Sequence, residues 1–110
     1  MHIINPATEE VIREITEDNR ETLSAKFQLL KNAQSGWSAL GIKQRVKILQ
    51  DFSAGLENQI EMLAAILTSE IGKPLQQSRN EINGARARIQ WLTENAEKYL
   101  RDEARARGVN

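Results

Sequence analysis

The polar and apolar positions of the first fifteen residues follow a short-period pattern. Two β-prone runs, Ile3-Ile4 and Val11–Ile15, flank the segment Asn5–Thr8, whose residues are typical of a turn. Pro6 fixes its own φ and favours extended backbone at Asn5. The pattern predicts a β-hairpin over residues 1–16. Because an isolated two-stranded hairpin is marginally stable, we expect it to lean on another part of the chain.

The period then lengthens to three and four residues, which indicates amphipathic helices. The pattern predicts four helices, over about 18–34, 42–57, 59–71 and 75–100. Each predicted helix has one apolar stripe. In helix order the stripes are Leu23, Phe27, Leu30, Ala33 and Trp37 in the first; Val46, Leu49, Phe52 and Leu56 in the second; Ile60, Leu63, Ala64, Leu67 and Ile71 in the third; and Ile82, Ala85, Ile89, Leu92, Ala96 and Tyr99 in the fourth.

Local signals place the helix ends. Asp18 and Glu21 resemble a capping box at the start of the first helix, and Gly36 suits a left-handed cap at its end. Gly41 precedes the second helix. Gly55, inside that helix, leaves two interpretations open, a close backbone contact or local fraying.

Together these elements predict a mainly α fold, a layer of four amphipathic helices with a short β-hairpin at its edge. We interpret residues 1–110 as a single partial domain. Residues 1–16 form the hairpin, 17–100 the helical region, and 101–110 a frayed, solvated tail.

Composition narrows the function classes. The 15 Lys and Arg residues cancel the 15 Asp and Glu residues, which argues against nucleic acid or an anionic membrane as the main partner. No apolar run approaches the roughly 20 residues of a membrane span. With no Cys, the chain has no disulfide, thiolate metal site or cysteine nucleophile, which fits a reducing compartment. We expect a cytoplasmic protein.

The segment Glu70–Pro74, with the sequence EIGKP, invites comparison with a phosphate-binding loop. A Walker loop needs a second glycine five residues before the Gly-Lys pair, a Ser or Thr after it, and a preceding strand. Here Pro74 follows Lys73, and a helix precedes it. Gly72 is better explained as a helix C-cap, with Lys73 close to the negative helix end.

The other candidate groups have plain structural interpretations. His2, the only histidine, is terminal and expected to be solvated. The acidic pairs, Glu9/Glu10, Glu57/Glu61 and Glu94/Glu97, are expected on polar surface, since no cleft is evident for a catalytic carboxylate pair. Arg79, Arg86 and Arg88 form a mild basic cluster offset by Glu81 and Glu94, and Trp37 and Trp91 are expected as core or interface anchors.

Two charged residues are placed for a structural contact. Arg45 lies beside the stripe residue Val46, and Glu70 precedes the turn at Gly72. An Arg45–Glu70 bridge would lock the second helix to the third. The alternative is that both side chains are exposed to solvent.

Read together, these segments resemble the N-terminal part of the aldehyde dehydrogenase superfamily. The resemblance rests on INPATEEVI at 4–12, SGWSAL at 35–40, Arg45 with the following residues 46–64, and SEIGKP at 69–74. In that family the hairpin has the form N-P-A-T-G-E-V-I, and E-T-G-K-P ends a helix. Glu10 follows Glu9 where the family usually has Gly, and Ile71 replaces Thr. The resemblance does not fix the substrate branch, and among the branches it favours bacterial succinate-semialdehyde-type members.

The resemblance implies part of an NAD(P)-dependent enzyme that oxidises aldehydes to carboxylic acids. In such enzymes a Cys attacks the aldehyde, hydride passes to the nicotinamide, a Glu activates water, and a Gly-rich turn holds the cofactor. This chain has no Cys and no such turn, so we assign it no catalytic, cofactor-binding or metal-binding residue. The resemblance also places Glu81 where many members carry an acidic residue near a structural monovalent cation; a solvated carboxylate is the alternative.

Three hypotheses follow. The first is a catalytically inactive N-terminal fragment, the outer helical layer of the cofactor domain without its parallel sheet. The departure of RDEARARGVN (101–110) from the family pattern suggests a truncated or frameshifted gene product, a deliberately shortened chain, or proteolysis. The second is a small helical module that forms a homo-oligomer through exposed apolar helix faces. The third is an unrelated four-helix scaffold, favoured if residues 4–12 were disordered.

Overall fold

The structure, a computed structural model, describes residues 1–101, so the predicted tail lies almost wholly outside the described residues. Within them the chain forms a two-stranded sheet and four helices, as the periodicity predicts. The elements, in chain order, are β1 (His2–Ile4), β2 (Val11–Glu14), α1 (Arg20–Ala39), α2 (Ile42–Asn58), α3 (Ile60–Ile71) and α4 (Leu75–Leu100).

The hairpin is antiparallel, with His2 opposite Glu14 and a bulge between Ile3 and Ile4. Asn5 shapes its turn, because its side-chain Oδ1 accepts a hydrogen bond from the backbone N–H of Ala7 at 2.9 Å. The turn rests on the helical layer. A Cβ built on Gly72 would lie 2.8 Å from Cγ of Pro6, so proline and glycine are in close contact. The hairpin therefore touches the helical layer through Pro6, while β2 stays exposed along its length.

Helix α1 differs from its prediction at both ends. Its capping box is formed by Asn19 and Thr22, not by Asp18 and Glu21. Asn19 Oδ1 accepts from the N–H groups of Glu21 and Thr22, and the Thr22 hydroxyl accepts from the N–H of Asn19. The helix also runs through Gly36 to Ala39, and an extended Leu40 ends it. A glycine weakens a helix but does not stop one without a left-handed turn.

Helices α2 and α3 form a rod that is broken at a single residue, Gln59, and lies antiparallel along α4. Contacts fix the direction: Glu57 at the end of α2 meets Arg86, and Thr68 near the end of α3 meets Ser78. Helix α4 spans about 39 Å at 1.5 Å per residue, enough to lie along most of the rod. The α2 helix is continuous through Gly55, and nothing lies within 4 Å of a Cβ built there.

The core is thin and lies between α3 and α4. Ala64 and Ser78 are the fully buried side chains of the described residues, and the Ser78 hydroxyl hydrogen-bonds that of Thr68 at 2.8 Å. The packed face of α4 includes polar residues absent from the predicted stripe, while Leu92 and Tyr99, predicted to be inside, are exposed. The buried and half-buried positions along α4 are Ser78, Arg79, Ile82, Arg86, Ile89, Thr93, Asn95 and Ala96.

Candidate functional site

His2 and the acidic pairs predicted from the sequence are exposed in residues 1–101. His2 Nε2 lies 3.8 Å from a carboxylate oxygen of Glu14. Within the described residues, no group of three or more His, Asp or Glu side chains is placed to hold a metal ion. The same part of the chain has no helix long and apolar enough to cross a membrane.

A bidentate ion pair joins α3 to α4. The guanidinium of Arg79 donates Nε to Oε1 of Glu61 at 2.8 Å and Nη2 to Oε2 at 2.7 Å, a bidentate contact. These hydrogen bonds are the main cause of a lowered pKa at Glu61 and a raised pKa at Arg79, and desolvation opposes both shifts. Sequence reasoning placed both residues on separate solvated surfaces. An antiparallel pairing about the turn at Gly72 would have brought them together.

A second pair joins α2 to α4 beside a polar groove. Arg86 Nη2 lies 2.6 Å from Oε2 of Glu57, and Nη1 donates to Oδ1 of Asn83 at 3.1 Å. The Nε of Arg86 is buried and has no hydrogen-bond partner in the described residues. The third member of the predicted basic cluster, Arg88, is exposed and faces elsewhere. The groove has a volume of about 480 Å³ and is lined by Gln50, Ser53, Ala54, Glu57, Asn83, Arg86, Ala87, Ile89, Gln90, Thr93 and Glu94.

The predicted bridge between Arg45 and Glu70 is not formed. Within residues 1–101 neither residue takes part in an ion pair, and Glu70 is exposed. The geometry explains the error. Because α2 and α3 run end to end, Arg45 near the start of α2 is far along the rod from Glu70 near the end of α3. Arg45 instead lies half-buried with an unpartnered Nε, beside an apolar groove.

The EIGKP turn is structural, as predicted. Gly72 has φ +79° and ends α3 as a left-handed cap, with its N–H bonded to the carbonyl of Thr68 at 2.8 Å. Lys73 does not turn back to the last carbonyls of α3. Its ammonium donates to a carboxylate oxygen of Glu81 in α4. The Glu81 carboxylate, which the family resemblance places near a cation, therefore has a cationic partner from the protein itself.

A second concave surface of the described residues is apolar. It lies between the end of α1, the first half of α2 and the last half of α4, with a volume of about 480 Å³. The rings of Trp91 and Tyr99 stack with centroids 6.1 Å apart, and Lys98 Nζ lies 5.1 Å from the Tyr99 centroid. We call this surface the α2–α4 groove. Its apolar lining is Trp37, Ile42, Val46, Leu49, Trp91, Leu92, Tyr99 and Leu100.

Helix α1 exposes a second apolar surface. Leu23, Phe27 and Leu30 lie on one side of it, with exposed fractions of 57%, 64% and 72%, and no residue of α1 is buried. We call these three residues the α1 stripe. Both tryptophans, predicted as core or interface anchors, border the α2–α4 groove, and Trp91 is about half exposed.

Comparison with known proteins gives this arrangement its context. The chain matches the aldehyde dehydrogenase family over residues 1–108. It belongs to that family. The chain is 32% identical to 3,6-anhydro-alpha-L-galactose dehydrogenase from Vibrio sp. (strain EJY3) over 98% of its own length and 22% of that protein. It is 33% identical to a probable succinate-semialdehyde dehydrogenase [NADP(+)] from Sinorhizobium fredii, over 87% of the chain and 20% of the relative.

A solved relative shows the same fold. The crystal structure of glyceraldehyde-3-phosphate dehydrogenase GapN from Methanocaldococcus jannaschii, complexed with NADP, matches 94% of this aldehyde dehydrogenase family chain with a TM-score of 0.86 and 28% identity. The matched part is 22% of that protein. The chain thus spans about a fifth of the length of the relatives it matches. The hairpin and the helical layer therefore have the same fold as the corresponding part of an aldehyde dehydrogenase, as the sequence resemblance implied.

Proposed function

We propose that this chain supplies the leading hairpin and outer helical layer of the cofactor domain of an NAD(P)-dependent aldehyde dehydrogenase. The parent reaction is oxidation of an aldehyde to a carboxylic acid, with succinate semialdehyde as the first substrate to test. The family match over residues 1–108, on a chain about a fifth as long as its relatives, carries the proposal. The proposed compartment is the cytoplasm, supported by a sequence free of cysteine.

We propose further that the 110-residue chain alone does not oxidise aldehydes. Covalent aldehyde oxidation of the kind expected for this family begins with a thiolate, and the sequence has no Cys. Nor does the sequence contain a Gly-rich dinucleotide turn. Two carboxylates at helix–helix contacts, Glu61 and Glu57, are paired with Arg79 and Arg86 and so are poor substitutes for a reactive base.

The test is turnover by the purified chain. It is incubated with succinate semialdehyde and NADP⁺ or NAD⁺, and reduced cofactor is followed by its absorbance. The full-length relative from Sinorhizobium fredii, assayed in parallel, serves as the positive control. We expect no reduced cofactor above the protein-free blank. Steady turnover that scales with the concentration of the chain would refute the proposal.

A second proposal, that the chain forms a homo-oligomer through its apolar helix faces, rests on a separate observation. The accessible surface is 9473 Å². A compact monomer of 12.5 kDa would expose about 6,200 Å². The radius of gyration is 20.0 Å, against about 13 Å for a compact domain of this length. A light-scattering mass equal to that of the monomer at micromolar concentration would contradict this proposal.

A further inference from the structure

Arg45 has a buried polar atom that no group in the described residues satisfies. Its Nε is buried without a hydrogen-bond partner, and its side chain takes part in no ion pair within residues 1–101. Arg86 also has an unpartnered Nε, but its Nη atoms contact Glu57 and Asn83. A buried donor without an acceptor and a charge without a counter-charge both cost stability. Arg45 is therefore the arginine whose charge is left uncompensated.

The surroundings of Arg45 make that missing partner costly. Arg45 lines the α2–α4 groove, whose apolar lining beside it includes Ile42, Val46, Trp91 and Leu92. Within the described residues the groove lining contains no Asp or Glu. While the groove is open, water can solvate the exposed part of the guanidinium. Once another surface covers the groove, that water is removed, and the charge needs an acceptor that the covering surface supplies.

The solved relative identifies the covering surface. In the NADP complex of GapN, a segment that makes up 22% of that protein has the fold of this chain, with a TM-score of 0.86. The same helix arrangement, in which the α1 stripe finds no cover within the segment, is thus present when the other four-fifths or so of the protein is attached. Soluble proteins rarely leave apolar surfaces of this extent open to water. The remaining four-fifths, which we call the rest of the fold, is therefore the surface that packs on them.

We propose that the rest of the fold packs on the α2–α4 groove, and that Arg45 anchors this contact by pairing with a carboxylate that lies outside the segment represented by this chain. This pairing rests on the proposed function, in which the chain supplies the helical layer of an aldehyde dehydrogenase. The apolar lining contributes burial. The guanidinium fixes the orientation, because its planar fork of N–H donors binds a carboxylate in a defined geometry.

Arg45 therefore has opposite effects on stability in two settings. In the free chain, replacing Arg45 with an apolar side chain of similar length removes an uncompensated charge from an apolar surface. In the whole enzyme, the same replacement leaves a buried carboxylate without its cation, which is strongly destabilising. A side chain whose role lies within this chain alone would change stability in the same direction in both settings.

Grafts into full-length relatives test this difference. The segment that this chain matches is replaced by the matching residues of this chain in the relative from Sinorhizobium fredii and in the relative from Vibrio sp. (strain EJY3). Arg45→Met is introduced into both grafts and into the free chain. Arg88→Met is the matched control, because it removes the guanidinium of an exposed arginine. Melting temperatures are measured at one protein concentration, and each graft is assayed for cofactor reduction with the substrate of its parent relative.

In the grafts we expect Arg45→Met to lower the melting temperature by about 5 °C and Arg88→Met to leave it unchanged. In the free chain we expect Arg45→Met to leave the melting temperature unchanged or to raise it. Arg45→Gln keeps N–H donors without the charge, so in the grafts it should be as damaging as Arg45→Met. A fully stable Arg45→Gln graft would overturn the carboxylate as the partner, since a neutral acceptor would then suffice.

Two further results would overturn the anchor. Active grafts that tolerate Arg45→Met would do so and leave the proposed function standing. An equal loss of stability in the free chain and in the grafts would mean that Arg45 finds its partner within this chain. If neither unmodified graft is soluble and reduces its cofactor, while both unmodified relatives do, the anchor and the proposed helical-layer role are both overturned.

Discussion

Among the described residues, Glu9 and Gly72 have left-handed backbone angles, with φ of 61° and 79°. For Gly72 the conformation is free of cost, and the missing Cβ also makes room for Pro6. Glu9 adopts the same region with a side chain, which costs about 1–2 kcal/mol. It lies in the segment where the family pattern N-P-A-T-G-E-V-I has Gly, a residue that adopts this region without strain.

The two roles of Gly72 can be measured by substitution. Gly72→Ala introduces left-handed strain and a Cβ 2.8 Å from Pro6 Cγ, so we expect a loss of at least about 1–2 kcal/mol in the free energy of unfolding. Gly84→Ala is the matched control, because Gly84 is inside α4 with open space around it. That change should stabilise by about 0.5–1 kcal/mol. Urea unfolding at one protein concentration measures both, and equal effects would contradict the assignment.

The Arg79–Glu61 pair predicts a pH dependence. The folded pKa of Glu61 is lowered, so its contribution to stability is complete above the ordinary Glu pKa of about 4.3 and is lost as the pH falls through the lowered value. We expect the stability gap between the wild type and Glu61→Gln to be constant above the ordinary Glu pKa and to narrow as the pH falls below it. Glu70→Gln is the control, since Glu70 has no ion pair within residues 1–101. A gap that stays constant with pH would exclude this linkage.

At the scale of elements, local sequence determined most of the fold. The bounds of α4 were predicted to the residue, because Pro74 excludes an earlier start and the apolar period is unbroken to Leu100. The end of α1 was predicted five residues too early. Gly36 looked like a cap, but no left-handed turn is needed there, and the helix continues on its own hydrogen bonds. The prediction of an Arg45–Glu70 bridge was wrong for a different reason. It assumed that α2 and α3 lie side by side, whereas they run end to end.

The cap of α1 is expected to act locally. Asn19→Ala removes two hydrogen bonds to the first turn, a loss of about 1 kcal/mol of helix stability. Because no residue of α1 is buried, the loss should appear as roughly fivefold faster amide exchange in the first turn, with little change in the global urea midpoint. Asn32→Ala, on the exposed middle of the same helix, is the control. A large global destabilisation by Asn19→Ala in dilute solution would show that α1 is packed in the monomer.

At the scale of the whole molecule, the sequence predicted four apolar stripes but not which of them find partners. Periodicity reports that a face is apolar, and it carries no information on whether the covering surface belongs to the same chain. In this protein α2 and α3 cover α4, and the α1 stripe remains exposed. The chain is also elongated, with a longest dimension of 70 Å, as expected when one helix does not pack against the others. The sequence therefore predicted which helix faces are apolar. It could not predict that several of these faces meet at the α2–α4 groove, because that depends on how the helices are arranged.

The exposed area leads to a prediction for thermal unfolding. If two folded copies unfold to two separate chains, mass action makes the melting temperature rise with protein concentration. We expect a steady rise over a hundredfold concentration series in differential scanning fluorimetry, and a nearly flat series for Phe27→Ser, which lacks the central side chain of the α1 stripe. Asn32→Ser should behave as the wild type, because Asn32 lies outside the stripe. A wild-type melting temperature that does not change with concentration would mean that the excess surface is not buried between copies, and that the helical layer is held by the packing of α2 and α3 on α4 within one chain.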